Sequence, residues 1–568
     1  MHRSVRAITL SSLALLMAIA ARADEGMWTF DNLPIQKMKA KYGFAPDQVW
    51  LDHVRLSSVR FPGGSGSFIS KDGLVLTNHH VGHQWIQAVS DPQHDFVKDG
   101  FVAPDRSREI KVPGLALFTL MEMENITDRI DKVAQPGMDE QAAAQAKSSA
   151  LAMIVKEQNE KSGLVCQPVS LYQGGQTWIY RYKKHTDVRL VMAPEYGVAA
   201  FGKEWDNFTW PRHDLDFSLF RVYENNKPYM PAHFLVQSKQ GVAYGEMTFT
   251  VGFPGRTSRL ETVSQMEARR DVLNPLMIRS LDRKRAELHA IAAQGEEKSR
   301  QVSAEIMTTE NSYKVISSEM EGLRDKAAMA KVAAAEKDLR AKVASDPKLT
   351  ELAGQSWTKI EEALERQKAI AQENANLESL DSESVASRRR ENQEKQKATQ
   401  SVISEHLARI AKARFAVYGM SAYPDGTSTL RLSFGAIETY PLAGTLAQPF
   451  TTFAGLFDRA ASWGPTAEAG SWELPSRWLK RRDNLNLFTP YNFISTNDII
   501  GGNSGSPVLN KQGELVGLAF DGNIESIPGR YYYDSRVNRC LSVDARAIVE
   551  ALRKVYDAGH LVKEIKGE

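Results

Sequence analysis

The chain has 568 residues, 71 basic against 69 acidic side chains, a formal net charge of +2 and two cysteines. That balance leaves no electrostatic footprint for nucleic acid, and the length exceeds what one core holds, so two or three domains are expected. No Cys/His spacing suggests a zinc site, and Cys166 and Cys540 are equally consistent with a disulfide and with two buried thiols.

Residues 1–23 read as a secretory signal peptide. Arg3 and Arg6 form the basic start, Ala7 to Ala20 the apolar run, and Ala21-Arg22-Ala23 the cleavage pattern. The run is too short to span a bilayer comfortably. The mature chain is expected to be exported, free of the membrane after cleavage, and periplasmic in a Gram-negative cell.

Residues 24–263 carry short apolar or alternating runs broken by Gly, Pro, Asn and Asp. "GSFISKDGLVLTN" predicts a hairpin turning at Asp72-Gly73, and "DVRLVMAP", "DFSLFRVY" and "EMTFTVGFPG" predict further strands. One helical insert is expected from about Asp139 to Lys161. Residues 264–415 turn to Ala, Glu, Lys, Arg, Gln and Leu and predict long amphipathic helices, with breaks near Asn274-Pro275, Asp346-Pro347 and Ser382. The β pattern returns over residues 416–568 in "STLRLSFGAIETY", "YNFISTNDI", "GSPVLNKQGELVGLAFDG" and "YYYDSRVNRCLSVD", before a final helix ending at Gly559. The expected fold is mainly β with an α insertion, a β core whose halves are separated by a helical domain.

The sharpest local signal is "GGNSGSPVL". Ser504 sits in a glycine-rich turn between strands, where the N–H groups of Gly502 and Ser504 can point at one oxyanion. An α/β-hydrolase elbow does not fit, because a strand rather than a helix follows the serine and no suitable histidine comes after it. Serine needs a base and an orienting acid. The acid is Asp216, opening the alternating strand "FSLFRV"; Asp206 and Asp214 read as turn residues. The base is His80, in the turn expected to end the strand "GLVLTN" and before a small apolar residue. His79 reads as a structural neighbour and His83 as a turn or helix-face residue. A metal site at these three histidines is the weaker reading, because adjacent side chains diverge on a regular backbone.

With these residues in view the chain resembles the S46 family of serine peptidases, bacterial dipeptidyl-peptidases. The likeness runs through "DEGMWTFDNLP", "VRFPGGSGSFISKDGLVLTNHH", "DVRLVMAPEYGVAAFGKEWDNFTWPRHDLDFSLFRVY", "VGFPGRTSR" and "NFISTNDIIGGNSGSPVLNKQGELVGLAFDGN". The resemblance implies a chymotrypsin-like double β-barrel with a helical cap, releasing dipeptides from free N-termini without metal or cofactor, and a homodimer. His80, Asp216 and Ser504 fall on its triad. Asn207, Phe208, Asn311 and Asp521 fall on its site for the substrate α-amine, with Asp521 expected as a buried carboxylate beside two amides. Gly522 falls where the family sets its preference at the second substrate residue, and glycine there implies an open, hydrophobic pocket.

Three departures stand out. Ser65 and Val81 replace a cysteine pair, Phe208 replaces a tryptophan, and the helical insert is shorter than in well-known members. A smaller cap keeps an endopeptidase of the same fold in play. The residues also leave open a trypsin-like role for Asp521, and an inactive, exported peptide-binding or chaperone-like protein.

Overall fold

The computed structural model describes residues 24–567 except Pro92, Pro136, Asp139, 378–381 and 464–470; the expected leader lies outside the described residues. An antiparallel sheet of 11 strands occupies the first part of the chain. Its main path comprises β1 (Ser58–Phe61), β2 (Gly64–Phe68), β3 (Leu74–Thr77), β4 (Phe101–Val102), β5 (Leu117–Asn125), β6 (Val165–Leu171), β7 (Gln176–His185), β8 (Asp187–Ala193) and β9 (Ser218–Glu224). Their order is β4–β8–β9–β3–β2–β1–β5–β7–β6. Gly73, at φ 73°, makes the expected turn between β2 and β3. The strand before the histidines does not end in a turn: Asn78 leads directly into helix α1 (His79–Ala88). The Asn78 side chain does not cap that helix, because its amide donates to the Asp216 carbonyl at 2.7 Å. The expected helical insert is α2 (Glu140–Ser162).

Strand β10 (Met247–Gly252) belongs to a second sheet, and a helical stretch follows it. A π-helical segment, Arg269–Leu273, runs straight into the helix Asn274–Ala292, so no break falls at Pro275. The stretch contains α3 (Glu296–Arg324) and α4 (Glu383–Tyr418), the latter capped by the Ser382 hydroxyl accepting from Val385 N–H. Asp346 caps the helix Pro347–Ala353 in the same way, at the break the sequence predicts. Leu339, Trp357, Ile360, Leu364, Ile403 and Leu407 form an apolar core of the stretch's own.

The second sheet has seven strands: β10 with β11 (Arg431–Ala436), β12 (Phe450–Thr452), β13 (Pro490–Ser495), β14 (Pro507–Leu509), β15 (Leu515–Gly522) and β16 (Cys540–Asp544). Their order is β11–β10–β14–β15–β16–β13–β12. The helices therefore leave from one strand and return to its immediate neighbour, which closes a long excursion with local pairing. Of "YYYDSRVNRCLSVD" only the last five residues are strand. After α5 (Ala545–Lys554) the chain forms one more helix, α6 (Gly559–Lys566), which the sequence did not announce. Its Glu564 reaches the fully buried Arg221 of β9 at 2.5 and 3.0 Å, and Arg221 also meets Glu109 at 2.9 Å.

Cys166 and Cys540 are both buried and unpaired. Among the described residues no helix is long and apolar enough to cross a membrane.

Candidate active site

The two sheets and α3 enclose a cavity of about 550 Å³. His80, Asp216, Ser504, Asn207, Phe208, Asn311, Asp521 and Gly522, each singled out from sequence, all line it.

The first sheet contributes His80 and Asp216. Asp216 lies just before β9, which pairs with β3, and β3 leads into α1. The Asp216 carboxylate accepts from the His80 backbone N–H at 3.0 Å, and its second oxygen lies 2.5 Å from His80 Nδ1. Its contact with an amide of the first helical turn also places a negative charge where the helix dipole favours one. Burial alone would raise the Asp216 carboxyl, but the facing imidazole and N–H hold it below its ordinary value. Burial alone would likewise lower His80, and the Asp216 charge overrides it, so the imidazole lies above its ordinary value of 6.5. His80 is held at Nδ1 while its side chain remains 40% exposed. His79 is buried and pushed by desolvation down to about 3; it packs with His83 and Tyr196.

The second sheet contributes Ser504. Residues 501–506 precede β14, and Gly505 N–H donates to Ala519 on β15 at 2.9 Å. Ser504 Oγ donates a long hydrogen bond of 3.4 Å to the Phe520 carbonyl. Among the described contacts Ser504 Oγ makes no hydrogen bond to His80, so the hydroxyl must turn away from the Phe520 carbonyl to meet the imidazole. The N–H groups of Gly502 and Ser504 donate to no described acceptor, as an oxyanion site requires. Gly502 has φ 100°, and a Cβ there would lie 2.6 Å from the Phe253 carbonyl oxygen, so only glycine gives this loop its shape.

Ser65 ties the two sheets together at this point. Its N–H donates to the Ser504 carbonyl at 2.8 Å, and its hydroxyl donates to the Gly502 carbonyl at 2.8 Å and accepts from Phe253 N–H at 2.9 Å. Where the resemblance places a cysteine, this chain has a polar tether to the nucleophile loop.

The expected amine site differs from its sequence reading. Asp521 is largely buried and already partnered. It accepts from Phe208 N–H at 3.0 Å, from Gly522 N–H at 2.8 Å and from Arg212 at 2.7 Å. Arg212 also meets Asp214 at 2.9 Å. Burial raises the Asp214 carboxyl, and the facing Arg212 opposes that shift, so one guanidinium is shared between Asp214 and Asp521. The two amides face each other instead: Asn207 Nδ2 donates to Asn311 Oδ1 at 3.2 Å and to Glu204 at 3.1 Å. Asn207 Oδ1 accepts from no described donor and remains available. Burial raises the Glu204 carboxyl. Lys314 of α3 donates to the Glu204 and Asn207 carbonyls at 2.9 and 2.5 Å, which fastens the helical stretch to this loop.

Asp206 and Asp214 are buried ion-pair residues rather than plain turn residues. Asp206 holds Arg459 at 2.5 Å, and Asp214 holds Arg212. Arg212 and Lys314 escaped the sequence reading because each reaches a partner remote in the chain, Asp521 for Arg212 and the Glu204 and Asn207 carbonyls for Lys314; for Arg212 and Glu204 the signal was the charge crowded into "GKEWDNFTWPRHD".

Set against known proteins, the chain matches the family described as Peptidase S46 over residues 23–385 and 380–567. The chain belongs to the peptidase S46 family. This S46 chain is 26% identical to dipeptidyl-peptidase 7 of Capnocytophaga gingivalis, covering 98% of each chain. It is 27% identical to dipeptidyl-peptidase 7 of Porphyromonas gingivalis, covering 100% of each. It is 25% identical to the Asp/Glu-specific dipeptidyl-peptidase of Porphyromonas endodontalis, covering 98% of each. Its fold matches the crystal structure of Porphyromonas endodontalis DPP11 in complex with dipeptide Arg-Asp, with a TM-score of 0.83 and 21% identity over 95% of this chain and 99% of the other.

In the same cavity as Ser504, the wall formed by Ile499, Ile500, Ala519, Gly522, Ser526 and Ile527 is mostly apolar. A Cβ on Gly522 would lie 2.2 Å from Ser526 Oγ, so a larger residue there would have to displace that side chain.

Proposed function

We propose that this S46 chain is a serine exopeptidase that releases dipeptides from peptides with a free N-terminus. The observation that carries the proposal is one cavity lined by Ser504, the His80–Asp216 pair and a cluster of acceptors for an ammonium group, with the unpartnered amides of Gly502 and Ser504 in the Ser504 loop. The relatives' names, dipeptidyl-peptidase 7 and Asp/Glu-specific dipeptidyl-peptidase, support the same reaction class.

His80 takes the Ser504 proton as Oγ attacks the carbonyl after the second residue. Asp216 keeps the imidazole in the right tautomer and stabilises the imidazolium. The Gly502 and Ser504 amides receive the oxyanion. His80 then protonates the leaving amine, and water releases the dipeptide from Ser504. An α-ammonium has three donors, and Asn207 Oδ1, Asp521 and Glu204 supply acceptors for them. Asn311 holds the Asn207 amide, and Phe208 offers its N–H to Asp521.

The residue after which cleavage occurs is proposed to be apolar, supported by Gly522 and the isoleucine-lined wall. A trypsin-like preference is disfavoured, since Asp521 already faces Arg212 and Asp498 faces Arg259 at 2.5 and 2.8 Å. The two sheets are proposed to be the barrels of a chymotrypsin-like enzyme, and the leader sequence supports export.

The test is mass spectrometry of products from one peptide library, free and N-acetylated. Dipeptide release confined to the free library is the expected result. Equal cleavage of both would instead make the enzyme an endopeptidase.

A further inference from the structure

We propose that Arg256 is a specificity residue on the leaving side of the scissile bond, where it binds a carboxylate of the departing peptide. The inference rests on the exopeptidase reading above and extends it to a part of the substrate that reading leaves unassigned.

Strand order fixes the sides of the site. β10 and β15 both pair with β14, antiparallel and from opposite sides. They therefore run parallel to each other, and both end where β14 begins, beside the nucleophile loop. β15 ends in Asp521 and Gly522, on the flank that takes the amine and the first two substrate residues. On the other flank the chain continues from β10 through Phe253 and Gly255 to Arg256. Gly255 N–H donates to the Gly501 carbonyl at 2.7 Å, so this segment is braced against the nucleophile loop. A peptide that places its amine by Asp521 and its scissile carbonyl over Ser504 extends its leaving half toward Arg256.

The charges around the cavity single this arginine out. Arg212 is held by Asp214 and Asp521, Arg530 by Glu319 at 3.1 Å, and Lys314 by two backbone carbonyls. Lys203 lines the cavity from the helix Lys203–Asp206, on the amine flank. Arg256 lines the cavity, is exposed, and has no hydrogen-bond or ion-pair partner among the described residues. A guanidinium fork matches a carboxylate bidentately. On a departing peptide that carboxylate is either an Asp or Glu side chain or the free C-terminus of a short substrate.

The test compares the intact enzyme with Arg256→Gln and Arg256→Lys on two substrate sets. Dipeptidyl aminocoumarin amides have a free amine and no leaving-side residue. Tetrapeptides sharing one N-terminal dipeptide carry Asp, Ala or Lys as the third residue, each with a free or an amidated C-terminus. For the parent, higher kcat/KM is expected for tetrapeptides bearing a leaving-side carboxylate, and the Asp-amide against Ala-acid comparison tells which carboxylate is read. Arg256→Gln should erase that preference, a loss of about threefold to tenfold for a solvent-accessible charge pair, and leave coumarin hydrolysis unchanged. Arg256→Lys should keep part of it. A parent indifferent to leaving-side charge overturns the proposal, as does an Arg256→Gln loss equal on coumarin amides and tetrapeptides, which would mean a role at the oxyanion or in folding. A parent inert toward the coumarin amides would instead remove the exopeptidase reading, and this assignment with it.

Discussion

His80 and Asp216 are joined twice: the histidine ring meets one carboxylate oxygen at 2.5 Å, and the backbone N–H of the same residue meets the other at 3.0 Å. The acid thereby fixes both the ring's rotamer and the start of the helix that carries it. One carboxylate sets the position, tautomer and basicity of the imidazole.

The first prediction concerns pH. Catalysis needs neutral His80, and Asp216 raises its pKa above the ordinary 6.5. The acid limb of kcat/KM should therefore fall above that value, with activity rising as pH rises through it. The alkaline limb should follow loss of the substrate ammonium near about pH 8. Asp216→Asn removes the charge that raises His80, so its acid limb should move to lower pH while kcat drops roughly ten-thousandfold. An acid limb left in place in Asp216→Asn would contradict the coupling.

The second prediction separates the amine-site carboxylates. Glu204→Gln removes a partly buried charge without breaking an ion pair, so it should raise KM for free-amine substrates by roughly tenfold or more with little change in melting temperature. Asp521→Asn also strips Arg212 of a buried partner, so it should cost both affinity and stability. Kinetics and thermal unfolding on the same two variants check this. The reverse pattern would move the amine's main countercharge away from Glu204.

The third concerns the nucleophile loop. Gly502→Ala forces a Cβ against the Phe253 carbonyl at a φ of 100°, so the oxyanion amides should lose their alignment. A fall in kcat of about a hundredfold to a thousandfold is expected, with KM nearly unchanged. Ser65→Ala unpairs the Gly502 carbonyl and the Phe253 N–H together, and should lower kcat by a smaller factor. Steady-state kinetics that show only a KM effect would count against both roles.

The fourth is a stability prediction. Asp498 and Arg259 are both almost completely buried, and Asp498 also accepts from Gly26 N–H at 2.9 Å. Asp498→Asn leaves Arg259 charged and without its carboxylate, at an expected cost of about 3–5 kcal/mol. Urea unfolding should show the midpoint fall accordingly. The nearby N-terminal segment should loosen as well, since Met27 packs against Asn503 next to the nucleophile.

Much of the site was legible because it is written in local patterns. Asp216 opens an alternating strand, Ser504 lies in a glycine-rich turn, and His80 follows an apolar strand; each pattern follows from the conformations that few neighbouring residues allow. The misreadings have an equally physical origin. The local pattern puts Asn78 in a turn, yet its side chain is taken by Asp216, far along the chain, and the backbone enters a helix directly. α6 went unpredicted because its anchor, Glu564 on Arg221, joins residues 343 positions apart.

By itself the sequence determined the alternation of strand-rich and helix-rich stretches, the family resemblance and the residues proposed to react, because side-chain chemistry and periodicity belong to adjacent positions. The tertiary structure alone decided which charges compensate which. Arg212 and Asp521 are 309 residues apart, and Ser65 and Gly502 are 437 apart. Only the packing of two sheets and a helix around one cavity brings such partners within hydrogen-bond range. Burial then makes each pairing, and each unpaired group left over, matter to the chemistry.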